Sequence, residues 1–198
     1  MKTDPYIPAM PPATLMTAED LLRLSLPDKR TELIKGVLVV REPAGYRHGE
    51  VAMNLALVLG NFVKAHELGR LLAAETGFKL FSNPDTVRAP DIAFIQSDRV
   101  PEPAPAGFAA MAPDLAVEVL SPDDRPGEVL EKVGDWLNAG VRLVWVVDPR
   151  RNVARVYRSD GTETHLDAGD TLDGEDVLPG FSCRLADVLE PPGRTPAF

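Results

Sequence analysis

Pro113-Asp114-Leu115-Ala116-Val117-Glu118-Val119-Leu120-Ser121-Pro122 reads as a short apolar strand running into a polar turn, with an amphipathic helix carrying Glu131-Lys132 behind it. Side chains alternate across a strand, so Asp114, Ala116, Glu118 and Leu120 share one face. Leu115, Val117 and Val119 share the other. Glu118 is thus a carboxylate in the middle of a valine-rich strand. Burying such a charge is costly unless it is paired, and a metal ion is one such partner. No other residue in the chain says as much.

Outward from that strand, Pro122-Asp123-Asp124 is a turn and cap, and residues 127–139 form a helix burying Val129, Val133, Trp136 and Leu137. Gly140 ends it, and Leu143 to Val147 is a continuous apolar strand of the buried kind. Val153 to Arg158 and Thr162 to Leu166 form a hairpin through Ser159-Asp160-Gly161. The acidic segment beyond adds little regular structure except around Leu185 to Leu189. Upstream, Thr17 caps a short helix bearing Leu21, Leu22 and Leu24 that Pro27-Asp28 closes. Thr31 to Ile34 and Val37 to Arg41 pair through Lys35-Gly36, a hairpin signal. His48 to about His66 is the clearest helix, with Val51, Leu55, Val58, Leu59 and Phe62 at three- and four-residue spacing. Arg70 to Ala74, Gly77 to Phe81 and Val87 to Ile95 read as strands, with Asn83-Pro84-Asp85 as a turn. Residues 97–112 are a long Pro/Ala loop with freedom to move. These elements make an α/β or α+β domain with a mixed central sheet.

The chain's 198 residues suit one domain, expected over 17–190, between an extended arm at 1–16 and a tail at 191–198. A single cysteine, Cys183, excludes an intramolecular disulfide and a multi-cysteine metal site. The N-terminus lacks a basic region followed by an apolar run, and no stretch approaches a membrane span. A cytoplasmic protein is the expectation. The net charge of -9 opposes a generally basic, nucleic-acid-binding surface. That acidity is concentrated, however: residues 160–190 hold nine acids against Arg184 alone, leaving residues 1–159 near neutral.

Asp91, Glu118 and Lys132 stand out together. Asp91 follows Pro90 at the mouth of the apolar run Ile92-Ala93-Phe94-Ile95, placed to reach Glu118 on a neighbouring strand. Two such carboxylates suit Mg²⁺, which commonly uses one or two and keeps several waters. A metal there could activate a water and offset charge on a phosphate, and an ammonium at Lys132 could stabilise the same charge. Each residue has a plainer interpretation. Asp91 could be a turn residue, Glu118 an edge position or half of an ion pair with Lys132, and Lys132 a surface lysine.

The sequence also resembles the Uma-two family of restriction endonucleases, within the PD-(D/E)XK nuclease superfamily. The matching pieces are 31–39 (Thr-Glu-Leu-Ile-Lys-Gly-Val-Leu-Val), His48 before the long helix, Arg88-Ala89-Pro90-Asp91-Ile92, 112–122, Glu131-Lys132, and 144–149 (Val-Trp-Val-Val-Asp-Pro). Their order covers roughly residues 15 to 190. The resemblance implies a restriction-endonuclease-like mixed sheet flanked by helices, with extra N- and C-terminal strands, and Mg²⁺- or Mn²⁺-dependent phosphodiester hydrolysis. It makes Asp91 the first acid, Glu118 the second, and the Val119 backbone carbonyl a further metal ligand. The superfamily's lysine two residues after the second acid is here Leu120, so the resemblance gives its role to Lys132 on the following helix.

Glu32 and His48 also match family positions, as a further metal or water ligand and as a phosphate or proton contact. A strand-end ion pair and a polar helix start are equally open readings. Asp114 lies about 13 Å from Glu118 along an extended strand, too far to share a metal. Arg150, Arg151, Arg155 and Arg158 are the candidate nucleic-acid contact, although arginines on a two-stranded ribbon are often only a solvated face. The expected partner is nucleic acid, DNA first, with no membrane. Double-strand cutters often act as symmetric dimers, and a homodimer is expected on that ground. Two other classes compete: a catalytically inactive relative with a regulatory role, and an acidic protein-interaction domain docking through 160–190.

Overall fold

The computed structural model describes residues 15–190, so the expected tail and all but the end of the expected arm lie outside the described residues. Among the described residues, twelve strands and four α-helices follow one another in the order α1(Ala18–Arg23), β1(Arg30–Ile34), β2(Val37–Arg41), α2(Tyr46–Ala65), β3(Gly69–Ala73), β4(Phe78–Phe81), β5(Thr86–Arg88), β6(Ile92–Gln96), β7(Leu115–Val119), α3(Pro126–Asn138), β8(Leu143–Asp148), β9(Val153–Arg158), β10(Glu163–Asp167), β11(Thr171–Asp173), β12(Ser182–Arg184) and α4(Leu185–Leu189). No helix among them is long and apolar enough to cross a membrane.

The main sheet has six strands in the order β10-β9-β8-β7-β6-β3. Only β7 and β8 run parallel, because α3 carries the chain back between them; every other neighbour pair is antiparallel. The sheet is therefore mixed, as expected. β7 and β8 lie at its centre with both faces covered, which is why they read as unbroken apolar runs. On one face Leu115, Val117 and Val119 pack with Trp145 against Val51, Leu55, Leu59 and Val63 of α2. On the other, Ala116, Val144 and Val146 meet Val133 and Trp136 of α3. Truncating a fully buried leucine such as Leu55 in this core should cost about 2–5 kcal/mol.

A second, antiparallel sheet in the order β2-β1-β5-β4 carries α1 on a small core of Ala18, Leu21, Leu33 and Val87. Lys35 and Gly36, with φ of 49° and 77°, form the left-handed two-residue turn of the β1–β2 hairpin. Thr17 caps α1 in a reciprocal capping box with Asp20.

Four local expectations are corrected. Residues 87–95 are not one strand: β5 joins the small sheet and β6 the large one. Pro90 between them has no N–H to give a ladder, while the Asp91 N–H turns to the Val117 carbonyl at 3.0 Å. α3 is not capped by Pro122-Asp123-Asp124. Arg125 takes the N-cap with no side-chain bond and Pro126 begins the helix, while Asp124 accepts from the Ser121 N–H. The 97–112 loop is pinned, its Ala109 exchanging backbone hydrogen bonds with Lys79 and Gly77. The acidic segment builds β11 and β12 in addition to α4, which is the stretch expected at Leu185 to Leu189. Its Leu172, Leu178, Phe181, Leu185 and Val188 complete the core beneath α2, because acids and apolar residues alternate there and only the acids need water.

Candidate active site

The carboxylates converge where the two sheets meet, at the C-terminal end of β7. β7 sets Glu118 on the α3 face, β1 supplies Glu32, and the break at Ala89-Pro90 turns Asp91 in. Glu32, His48, Asp91 and Glu118 are each 7% exposed, which makes them a buried polar cluster and not surface decoration. A cavity of ≈ 480 Å³ opens onto Arg30, Glu32, His48, Asp91, Glu118 and Lys132.

Lys132 is the hub. Its ammonium donates to Glu118 Oε2 at 2.8 Å and to the Ala89 carbonyl at 3.1 Å, and lies 3.1 Å from Glu32 Oε1. One helical turn further along α3, the Trp136 indole N–H donates to Glu118 Oε1 at 2.8 Å. Asp91 Oδ2 accepts from the Val119 N–H at 2.8 Å and lies 3.1 Å from His48 Nε2, held in place by the start of α2. Arg88 is wedged between Glu32 at 3.1 Å and Asp135 at 2.6 Å, and the Ala89 N–H donates to Glu32 at 3.0 Å.

These contacts set the charge states. Burial pushes the Glu118 carboxyl up to about 7; the Lys132 ammonium opposes this, while Asp91 and Glu32 add repulsion. Burial also works against Asp91, but its contacts with His48, Lys132 and the Val119 N–H prevail and hold it below the usual carboxylate range. For Glu32, burial is outweighed by Lys132 and Arg88, and its pKa falls. Lys132 loses hydration, yet three surrounding acids more than compensate and keep it firmly protonated. Four acids, Glu32, Asp91, Glu118 and Asp135, thus meet three fixed cations, Arg30, Arg88 and Lys132, and Glu118 carries the excess. That is a cluster short of positive charge.

The five expected site residues are brought together: Asp91, Glu118, Lys132, Glu32 and His48. Asp114 is not among them. It is spent at the opposite end of β7 on the Gln96 N–H at 2.9 Å and on Arg99 at 2.6 Å. The four arginines scatter. Arg150 and Arg151 occupy the turn after β8, and β8 ends beside Val119. Arg155 lies in the Glu118 register row two strands away and pairs with Glu163 at 3.2 Å. Arg158 sits opposite Leu143 at the far end of the sheet, bound to Glu175.

Sequence reasoning missed Arg30, Arg88, Asp135 and the polar role of Trp136. The (i, i+4) spacing of Lys132 and Trp136 was a usable signal for the last, since both must lie on the face that meets Glu118. Arg88 stood in the matched piece 88–92 without a role of its own and Arg30 carried no signal; only the juxtaposition of the two sheets makes them neighbours of the acids.

A family model, Uma2, described as "Putative restriction endonuclease", matches residues 18–186. The chain belongs to this family. A solved structure similar to this Uma2 chain is described as a putative nuclease belonging to DUF820 from Anabaena variabilis. The two share 22% identity with a TM-score of 0.77, over 88% of this chain and 97% of the other. That likeness establishes that the Uma2 chain shares the fold of that protein. No curated protein matches it.

A Mg²⁺ or Mn²⁺ ion is the cofactor this family implies. Among the described residues, no three His, Cys, Asp or Glu side chains converge as a ready-made cage. The donor set nonetheless fits a hard cation: two carboxylates from adjacent strands, and the peptide of Val119 beside them, with room for waters. Asp91 Oδ1 makes only a 3.4 Å contact with Arg30, and each Glu118 oxygen keeps a second lone pair.

Proposed function

We propose that this Uma2 protein is a metal-dependent endonuclease that hydrolyses phosphodiester bonds in nucleic acid, DNA in the first instance. The observation carrying this reading is the convergence of Asp91 and Glu118 with Lys132 in one cavity, with more buried negative charge than its cations neutralise. A divalent cation bound there would supply a Lewis acid for the phosphate and a water of lowered pKa.

The chain's own residues do the rest. Asp91 and Glu118, with the Val119 carbonyl, are the groups that would hold the cation. The Val119 N–H and His48 fix the Asp91 carboxylate, and Trp136 fixes one oxygen of Glu118, so the ligands need little reorganisation. Lys132, protonated and buried beside Glu118, presents its charge where the attacking oxygen and the phosphate would meet. It thereby takes the part of the lysine absent at Leu120. Glu32, with Arg88 behind it, positions that ammonium. His48 acts through Asp91.

One observation favours the second reading, a relative that has kept the fold without turnover: both Glu118 oxygens already have protein donors. The test is to incubate the purified protein with supercoiled plasmid, single-stranded DNA and RNA, with and without Mg²⁺ or Mn²⁺. Cleavage that requires the cation supports the endonuclease. No cleavage, with no cation binding by calorimetry, replaces it with the inactive relative.

A further inference from the structure

A second cavity, of ≈ 560 Å³, adjoins the first and shares Arg30, His48 and Asp91 with it. Its character is different. Its wall along α2 is built from small or apolar residues, Gly49, Ala52, Met53 and Ala56, and Pro43 and Ala44 close one side. A Cβ added at Gly49 meets nothing within 4 Å, so the groove is open at that point. One turn earlier on the same helix, Tyr46 stands 88% exposed, and Met53 is 58% exposed one turn beyond. Tyr46, Gly49, Met53 and Ala56 fall at helical spacing on one face of α2, so an exposed aromatic continues the face that walls the groove, and an aromatic beside an apolar groove has the chemistry of a base platform.

The cations around the two cavities point the same way. Lys29 is paired with Glu42, Arg41 with Glu128, Arg88 with Glu32 and Asp135, and Lys132 with Glu32 and Glu118. Arg30 differs. Its Nε is buried with no partner, and its guanidinium reaches Asp91 only at 3.4 Å. It lines both cavities. One under-used guanidinium suits one phosphate. A duplex tracked through its backbone calls for many more free cations than this.

We propose that the α2 groove receives an unpaired nucleobase flanking the scissile phosphate, that Arg30 holds that phosphate, and that the substrate class is single-stranded nucleic acid. The inference rests on the nuclease reading of the adjoining site. A paired base cannot enter the groove without leaving its stack, so duplex binds less well.

The test is equilibrium binding, in EDTA so that no cleavage intervenes, of a labelled single-stranded oligonucleotide and of the matching duplex. Wild type should prefer the single strand by about tenfold or more. Tyr46→Ala should weaken that binding about tenfold, while Tyr46→Phe, which keeps the π face, should restore it. Gly49→Leu, which fills open space on a helix that tolerates it, should weaken it similarly. Arg30→Gln should lower the salt dependence by about one phosphate contact. Equal or tighter duplex binding, no binding of either, or full binding by Gly49→Leu and Tyr46→Ala overturns the inference. So does a solution dimer that Gly49→Leu dissociates, which would assign the face to a second copy. Parallel cleavage assays with Mg²⁺ separate the two claims. Single-strand binding lost in the groove variants without any cleavage removes hydrolysis alone, and cleavage unaffected by Gly49→Leu removes the groove alone.

Discussion

β7 and the residue that leads into it carry two buried carboxylates, and they live differently. Asp114 at its head is 1% exposed and saturated by a backbone N–H and Arg99, beside no cavity that the site uses. Glu118 at its tail is 7% exposed and shares one lysine with Glu32 while Asp91 stands near. Both satisfy the rule that a buried charge finds a partner. Burial therefore does not mark a site. What marks it is a surplus of acids around an opening, because that surplus is tolerable only where a further cation can enter.

The sharpest way to break the comparison is to neutralise each acid. Glu118→Gln should lower cation-dependent cleavage on the order of 10³-fold or more, with circular dichroism unchanged. Asp114→Asn should keep cleavage per folded molecule and lose about 2 kcal/mol in a urea titration, since it leaves Arg99 and the Gln96 N–H poorly matched. The opposite pattern would reverse the two roles.

Lys132→Ala should reduce turnover roughly a hundredfold, the scale of removing one charge-stabilising donor. The cation concentration for half-maximal activity should move much less. If that concentration moves and turnover does not, Lys132 is a structural partner like Arg99.

Acidity sharpens the contrast further. A carboxyl whose folded pKa is raised to about 7 from the ordinary 4.5 binds more protons folded than unfolded between those values. Its contribution to stability therefore falls as pH rises through that window. With a chelator present, Glu118→Gln should gain stability over wild type between pH 5 and pH 8, read as a growing difference in urea midpoint. A constant difference would mean that Glu118 is ionised throughout.

The smallest effect concerns the arginines. Arg150→Ala, in the turn at the Glu118 end of β8, should weaken nucleic-acid binding about two- to threefold and more so at low salt. Arg158→Ala, at the Asp114 end and paired with Glu175, should leave binding unchanged. Equal losses would place the nucleic acid across the whole ribbon.

Most of the frame was legible because periodicity reports burial. β7 and β8 read as buried runs, α2 showed its stripe, and Lys35-Gly36 named its turn. The break at Pro90 was visible as a residue but not as a consequence; that it separates two sheets depends on pairings with β1 and β7 far away in sequence. The acidic segment misled because its charges dominate composition, whereas Leu172, Phe181 and Val188 decide its packing. That Asp91, Glu118 and Lys132 come together was readable from strand position and family spacing. The parts played by Arg30 and Arg88 were not, since long-range contacts with Asp91, Glu32 and Asp135 alone give them meaning.

The most direct test compares wild type, Asp91→Asn and Asp114→Asn on the same nucleic-acid substrates with Mg²⁺ or Mn²⁺. The account predicts cation-dependent cleavage by wild type and Asp114→Asn and none by Asp91→Asn. Cleavage retained by Asp91→Asn, or lost in Asp114→Asn while that variant remains folded, would contradict it.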